Sequence, residues 1–91
     1  MNRHAPPPGP FADNLRLVME RRGRLSGEVA RRLGVSKKKV QRFQSGETRP
    51  RLEDVLRLSA ILVVDPALLA WCPTADLAQR LATHPHGETH A

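Results

Sequence analysis

A short run in the middle of the chain combines side chains that could hydrogen-bond to the edges of nucleic-acid bases. Lys37, Lys38 and Arg42 carry N–H groups that can donate to O6 and N7 of guanine. Gln41 can donate and accept in one plane, as pairing with adenine requires. Lys39 adds another cation. Each lysine could equally be a solvated surface residue. Whether the run contacts bases therefore depends on the helices that display it.

The positive charge of the chain is concentrated around this run. Residues 21–51 hold eleven Lys and Arg residues against Glu28 and Glu47, a net charge of +9, whereas the whole chain carries +6. Such a concentration favours a polyanionic partner. Aromatic residues make up only 3% of the chain, with no tyrosine, which argues against a base-stacking platform for single strands. Composition thus favours a polyanionic partner that is not bound by stacking of single-stranded bases.

Other groups that could do chemistry are weaker candidates. His84, His86 and His90 form a loose tract of potential metal ligands, which we interpret as part of a solvated tail. Cys72 has no cationic neighbour in the sequence, so we expect an inert, partly buried thiol. The chain has neither a glycine-rich phosphate loop nor a nucleophile elbow. We expect no enzymatic activity, no cofactor and no metal.

Length and composition indicate one small domain inside the cell. The chain has 91 residues and one cysteine, so an intrachain disulfide is impossible, which fits a reducing cytoplasm. Apolar stretches such as residues 60–64 are too short to cross a bilayer. The first residues lack the apolar core of a signal peptide. We expect a cytoplasmic protein associated with the nucleoid.

Helical periodicity accounts for the elements that position the basic run. Apolar residues at Phe11, Leu15, Val18 and Met19 form one stripe of an amphipathic helix, and similar patterns follow. The predicted helices span residues 11–22, 26–33, 37–45, 51–62, 66–71 and 74–83, with Thr74 as the cap of the last. Four prolines predict a flexible arm over residues 1–10, and residues 84–91 are expected to be a disordered tail.

The turn before the basic run predicts how that run is displayed. Gly34 suits the left-handed conformation after a helix, and Ser36 is a good N-cap for the next one. Two helices joined by so short a turn must cross steeply. Val40 and Phe43 would bury one narrow edge of the second helix. Its polar side would then face outward, and an α-helix fits the major groove of B-DNA.

A longer pattern surrounds this turn. It consists of Val29 to Ser36 (VARRLGVS), Val40, Gly46, Pro50 and Leu56. In these residues the chain resembles the lambda-repressor-like (XRE-type, phage repressor) helix-turn-helix family, over about Phe11 to Trp71. The resemblance implies an all-α, compact five-helix DNA-binding domain over residues 11–71, commonly a two-fold dimer. A short additional helix over residues 72–83 would follow as a possible dimer contact.

The resemblance also implies roles for single residues. The positions that usually meet base edges are Lys37, Lys38, Gln41 and Arg42. The positions that match phosphate contacts are Ser26, Lys39, Ser45, Arg49 and Arg51. For Ser26, the N–H groups at the start of its helix are the expected donors.

Four positions depart from the family pattern. Leu25 stands where a Ser or Thr cap is usual, so either it is an unusual cap or the helix starts one residue late. Arg51 replaces a capping serine, which would leave the fourth helix without a side-chain cap. Val63 replaces a glycine, which predicts a reshaped rather than left-handed turn. Gln44 replaces a common acidic residue and makes the recognition helix more cationic.

Two functions agree with these features. The resemblance implies a sequence-specific double-stranded DNA-binding transcription regulator, with repression the expected sign, on a pseudo-palindromic operator read by residues 37–45. The partner would be DNA, bound by a homodimer. For Leu77 and Leu81, a place in the dimer surface is favoured over a place in the hydrophobic core. Trp71 could belong to the core or to the dimer surface. The alternative is an antitoxin or adaptor whose near-neutral, leucine-rich surface over residues 52–83 binds a toxin or other regulator protein.

Overall fold

The computed structural model describes residues 9–83, which form six α-helices without a strand among them. The helices are α1 (Phe11–Arg22), α2 (Ser26–Leu33), α3 (Lys37–Ser45), α4 (Leu52–Leu62), α5 (Pro66–Trp71) and α6 (Thr74–Thr83). The predicted all-α fold class is confirmed. Pro10 is the N-cap of α1, so the domain begins just inside the segment expected to be an arm. Residues 1–8 and the predicted tail, 84–91, lie outside the described residues.

All six helices contribute to one hydrophobic core. Phe43 of α3 is fully buried at its centre, and Phe11 meets it edge to face with 6.1 Å between ring centroids. Leu77 of α6 is fully buried in the same core, while Leu81 is half-buried. The expectation that Leu77 forms a dimer surface is therefore wrong, because this side chain is already used within the monomer.

The turn between α2 and α3 follows the sequence prediction. Gly34 is left-handed with φ 79°, and the amides of Gly34 and Val35 both donate to the carbonyl of Ala30, at 2.8 and 3.0 Å. The hydroxyl of Ser36 accepts from the amide of Lys39 at 3.1 Å. These bonds close one helix and open the next within three residues, which fixes the direction of α3.

The start of α4 lacks a side-chain cap, as predicted, whereas its end differs from prediction. The helix begins at Leu52, with Arg51 as N-cap; an arginine side chain has no acceptor, and the Asp54 carboxylate instead accepts from the Arg51 amide at 3.0 Å. Val63 is left-handed, with φ 56° and ψ 58°, so the predicted reshaped turn is wrong. Arg22 explains how valine is held there: its guanidinium donates to the carbonyls of Leu62, at 3.0 Å, and Val63, at 2.8 Å.

A buried polar residue attaches the last two helices to α1. Asn14 is fully buried, and its amide nitrogen lies 3.2, 3.1 and 2.8 Å from the carbonyl oxygens of Leu68, Leu69 and Cys72. Its oxygen accepts from the hydroxyl of Thr74 at 2.6 Å. Helix α6 begins at Thr74, so this residue is its first residue rather than the predicted cap. The apolar stripe of α1 gave no signal for this role, because the partners lie more than fifty residues away.

Candidate nucleic-acid interface

Helix α3 is held so that its polar side faces outward. Val40 and Phe43 are fully buried, and Ser36 caps the first turn. At the other end, Arg16 of α1 donates to the carbonyl of Gln44, while also pairing with Asp13. Both ends of the helix are therefore fixed by other parts of the domain before any partner binds.

The predicted base-contacting side chains lie exposed on two adjoining depressions of this outward side. Lys38 and Arg42, one turn apart, border a shallow depression at the second half of α3. Lys37 borders a second depression, between α3 and the first turns of α2. Gln41 lines both. The four residues thus form one continuous surface with Gln41 at its middle, an arrangement that sequence spacing alone did not reveal.

We call the second depression the α2–α3 cleft. It is lined by Leu25, Ser26, Gly27, Glu28, Arg31, Lys37 and Gln41. The hydroxyl of Ser26 donates to Oε1 of Gln44 at 2.8 Å, which ties the start of α2 to the recognition helix. Gln44 therefore does more than remove a negative charge from α3. The first-turn N–H groups of α2 have no acceptor within the helix, and the phosphate contact expected there stays a prediction.

One acidic residue borders the cleft, and it is neutralised locally. Glu28 accepts a hydrogen bond from Arg24 at 2.6 Å. This bond, and next the charge of the same guanidinium, lower the pKa of Glu28 against an opposing effect of desolvation. The carboxylate stays ionised near neutral pH, but Arg24 balances its charge, so Lys37 and Arg31 set the positive sign of the cleft.

The remaining predicted phosphate contacts are more dispersed. Lys39 is half-buried, with Nζ 5.8 Å from the Phe43 ring centroid, and it borders neither depression. The Ser45 hydroxyl donates to the Arg42 carbonyl at 3.1 Å. Arg49 and Arg51 are exposed near the start of α4 and form no ion pair within the described part of the chain. Their relation to a phosphate stays a prediction.

Several basic residues that raised the local charge have structural roles instead. Arg22 bonds the end of α4, and Arg24 pairs with Glu28. Outside the charged third of the chain, Arg57 donates to the carbonyl of Leu33 at 3.1 Å, at the end of α2, much as Arg16 does at the end of α3. Composition could not separate Arg22 and Arg57 from arginines facing a partner, because their acceptors are distant in sequence.

Two further predictions concern sites outside this surface. Within residues 9–83, no group of three or more His, Cys, Asp or Glu side chains could hold a metal ion; the tract at His84, His86 and His90 lies outside that range. In the same part of the chain, none of the helices has the length and apolar character needed to cross a membrane.

Comparison with known proteins assigns the chain to a family. Residues 10–71, more than half of the chain, match a family described as a helix-turn-helix domain. No curated protein and no solved structure matches the chain significantly. The matched segment begins at the N-cap of α1 and ends with the last residue of α5. The chain therefore belongs to the helix-turn-helix domain family, among the XRE and lambda-repressor-like domains.

Proposed function

We propose that the protein is a sequence-specific regulator of transcription that binds double-stranded DNA and represses from an operator. The observation that carries the proposal is the outward side of α3, where Lys37, Lys38, Gln41 and Arg42 are all exposed on a helix fixed at both ends. A helix placed in this way can enter the major groove without first being ordered. No catalytic step is part of the proposal. The protein would act in the cytoplasm, on the DNA of the nucleoid.

The proposed division of labour follows side-chain chemistry. Lys37, Lys38 and Arg42 would donate to guanine, and Gln41 would pair with adenine. The N–H groups at Ser26 and the side chains of Lys39, Ser45, Arg49 and Arg51 would contact phosphates. Phosphate contacts provide affinity for any sequence and make it fall steeply with salt, whereas base contacts discriminate among sequences.

We propose a homodimer as the DNA-binding form. Its support is an exposed apolar surface on α4 and α5, which we call the α4–α5 patch: Leu52 is 67%, Leu56 48% and Trp71 68% exposed. This patch replaces Leu77 as the candidate contact, because it is not used by the monomer core. A two-fold dimer would read two half-sites about 10 base pairs apart, or a multiple of that spacing, on a pseudo-palindrome.

The experiment that tests the proposal is selection of bound duplexes from a random pool, followed by titrations of selected and random duplexes over a range of salt. We expect an enriched sequence with two inverted half-sites, and a preference over random DNA that persists as salt weakens both. Equal binding of selected and random duplexes at every salt concentration would show that the protein is not a sequence-specific regulator.

The α4–α5 patch also supports a second candidate, an antitoxin or adaptor that binds a different protein there and DNA only secondarily. The two functions make different predictions for the protein alone. A regulator should dimerise by itself, whereas an antitoxin or adaptor should be monomeric in gel filtration and form a stable complex when co-expressed with the product of a neighbouring gene. Replacing Trp71 with serine should abolish that complex if the patch is the contact.

A further inference from the structure

Leu25 breaks two local rules of protein structure. It is the N-cap of α2, with extended backbone (φ −96°, ψ 154°) and no side-chain hydrogen bond to the helix, at a position where Ser, Asp or Asn is favoured. Its side chain is also 74% exposed. Both local stability and solvation would be better served by a small polar residue. The Glu28 carboxylate accepts a hydrogen bond from the Leu25 backbone amide, but the leucine side chain takes no part in capping. Side chains that break local rules are where functional requirements are expected.

A single exposed leucine is ordinary on protein surfaces. Its location must therefore indicate whether it contacts a partner. Leu25 lines the α2–α3 cleft together with Lys37 and Gln41, two of the proposed base contacts. It is the one large apolar side chain among the residues that line this cleft. The cleft therefore offers a partner cationic groups, an amide and an apolar surface at the same place.

Double-stranded DNA has one group that matches this combination. The C5-methyl of thymine is the apolar group on the base edges of the major groove, and it lies beside hydrogen-bonding edges and between two rows of phosphates. Gln41 suits adenine, so at least one A·T pair would face the cleft, beside the guanine to which Lys37 would donate. Lys38 and Arg42, on the other depression, would face guanine.

We propose that Leu25 is a specificity-determining residue that contacts the methyl group of a thymine in the major groove, next to the base that Gln41 reads. The proposal rests on the DNA binding proposed above. It assigns discrimination to the first helix of the motif, in addition to α3.

The test replaces each thymine of a selected duplex by uracil, which removes only the methyl group, and measures affinity for the wild type, Leu25→Ala and Val63→Ala. One substitution should weaken the wild type about fourfold, the effect of one buried methyl-sized group. The same substitution should not affect Leu25→Ala. Val63→Ala, which truncates a similarly exposed apolar residue outside the cleft, should show the wild-type loss. Leu25→Met, which keeps an apolar contact, should retain dependence on the methyl group.

The results separate this inference from the proposed function. If the wild type prefers the selected duplex but no thymine methyl matters, or if the loss persists in Leu25→Ala, the inference is wrong and the regulator remains. If Leu25→Ala weakens all duplexes equally with the uracil effect unchanged, Leu25 contacts the backbone and the inference is again wrong. If no duplex is selected at all, both fail. Circular dichroism and thermal melting of each variant confirm that the fold is intact.

Discussion

Individual arginines differ in role although they look alike in sequence. Arg16, Arg22 and Arg57 each donate to a carbonyl at the end of another helix, where orphan acceptors and the negative end of the helix dipole favour a cation. Partial burial lowers the pKa of Arg22 below its ordinary value, although the group stays charged near neutrality. Such arginines stabilise the fold, whereas Arg42 and Arg49 are exposed and form no ion pair with residues 9–83.

We expect Arg22→Ala to lower the free energy of unfolding by about 2 kcal/mol, because two carbonyls lose a charged donor. Arg21→Ala is the matched control: it removes an exposed neighbour of the same charge and should change stability by less than about 0.5 kcal/mol. Urea denaturation of both variants measures the difference. Equal losses would mean that the bonds to Leu62 and Val63 contribute nothing beyond net charge.

A second pair of variants separates recognition of bases from contact with phosphates. Gln41→Ala should reduce the preference for the selected duplex over single-base variants by about 1–3 kcal/mol at one position. Arg49→Ala should weaken every duplex alike and make the slope of log affinity against log salt shallower by about one unit. Competition titrations at several salt concentrations measure both quantities. Interchanged results would reverse the roles that we propose for the two residues.

Among the elements, helix limits were largely predictable, because the residues that end and begin helices act locally. Gly34 and Ser36 determine the α2–α3 turn within a few residues of themselves. The failures, at Val63 and Thr74, share one feature: the hydrogen-bond partner of each residue, Arg22 or Asn14, is distant in sequence. A rule based on neighbouring residues cannot include partners that only the fold brings close.

The turn after α4 offers a stability test at this scale. Val63 is left-handed and 69% exposed, so its conformational strain is offset by little packing. Val63→Gly should raise the free energy of unfolding by up to about 1 kcal/mol, since relief of strain outweighs the added freedom of the unfolded chain. Gly34→Ala, at a left-handed glycine, should have the opposite effect. Thermal melting checks both, and a destabilised Val63→Gly would show that the valine is not strained.

At the scale of the whole molecule, the sequence predicted which residues α3 exposes but not how they are grouped. Exposure follows from periodicity and burial of Val40 and Phe43. The position of Gln41 between two depressions, and the bond between Ser26 and Gln44, depend on how α2 and α3 cross. The sequence also predicted the wrong dimer surface, because the burial of Leu77 depends on how α6 packs against the core. The α4–α5 patch is proposed in its place.

The proposed dimer contact can be tested by two substitutions with opposite expected effects. Trp71→Ser should leave the monomer folded, because the side chain is 68% exposed, but should shift a dimer towards monomer in sedimentation equilibrium. Leu77→Ala should instead destabilise the fold by about 2–5 kcal/mol, with no specific effect on association. A Trp71→Ser protein as dimeric as the wild type would exclude the α4–α5 patch as the dimer contact.

The bond between Asn14 and Thr74 has a consequence for where the domain ends. The family match stops at residue 71, yet Leu77 fills the core and Thr74 satisfies the buried oxygen of Asn14. A fragment cut at the edge of the match would keep every residue of the motif but lose part of its interior. The segment that matches the family is thus shorter than the packed core, which in this chain includes Leu77 of α6.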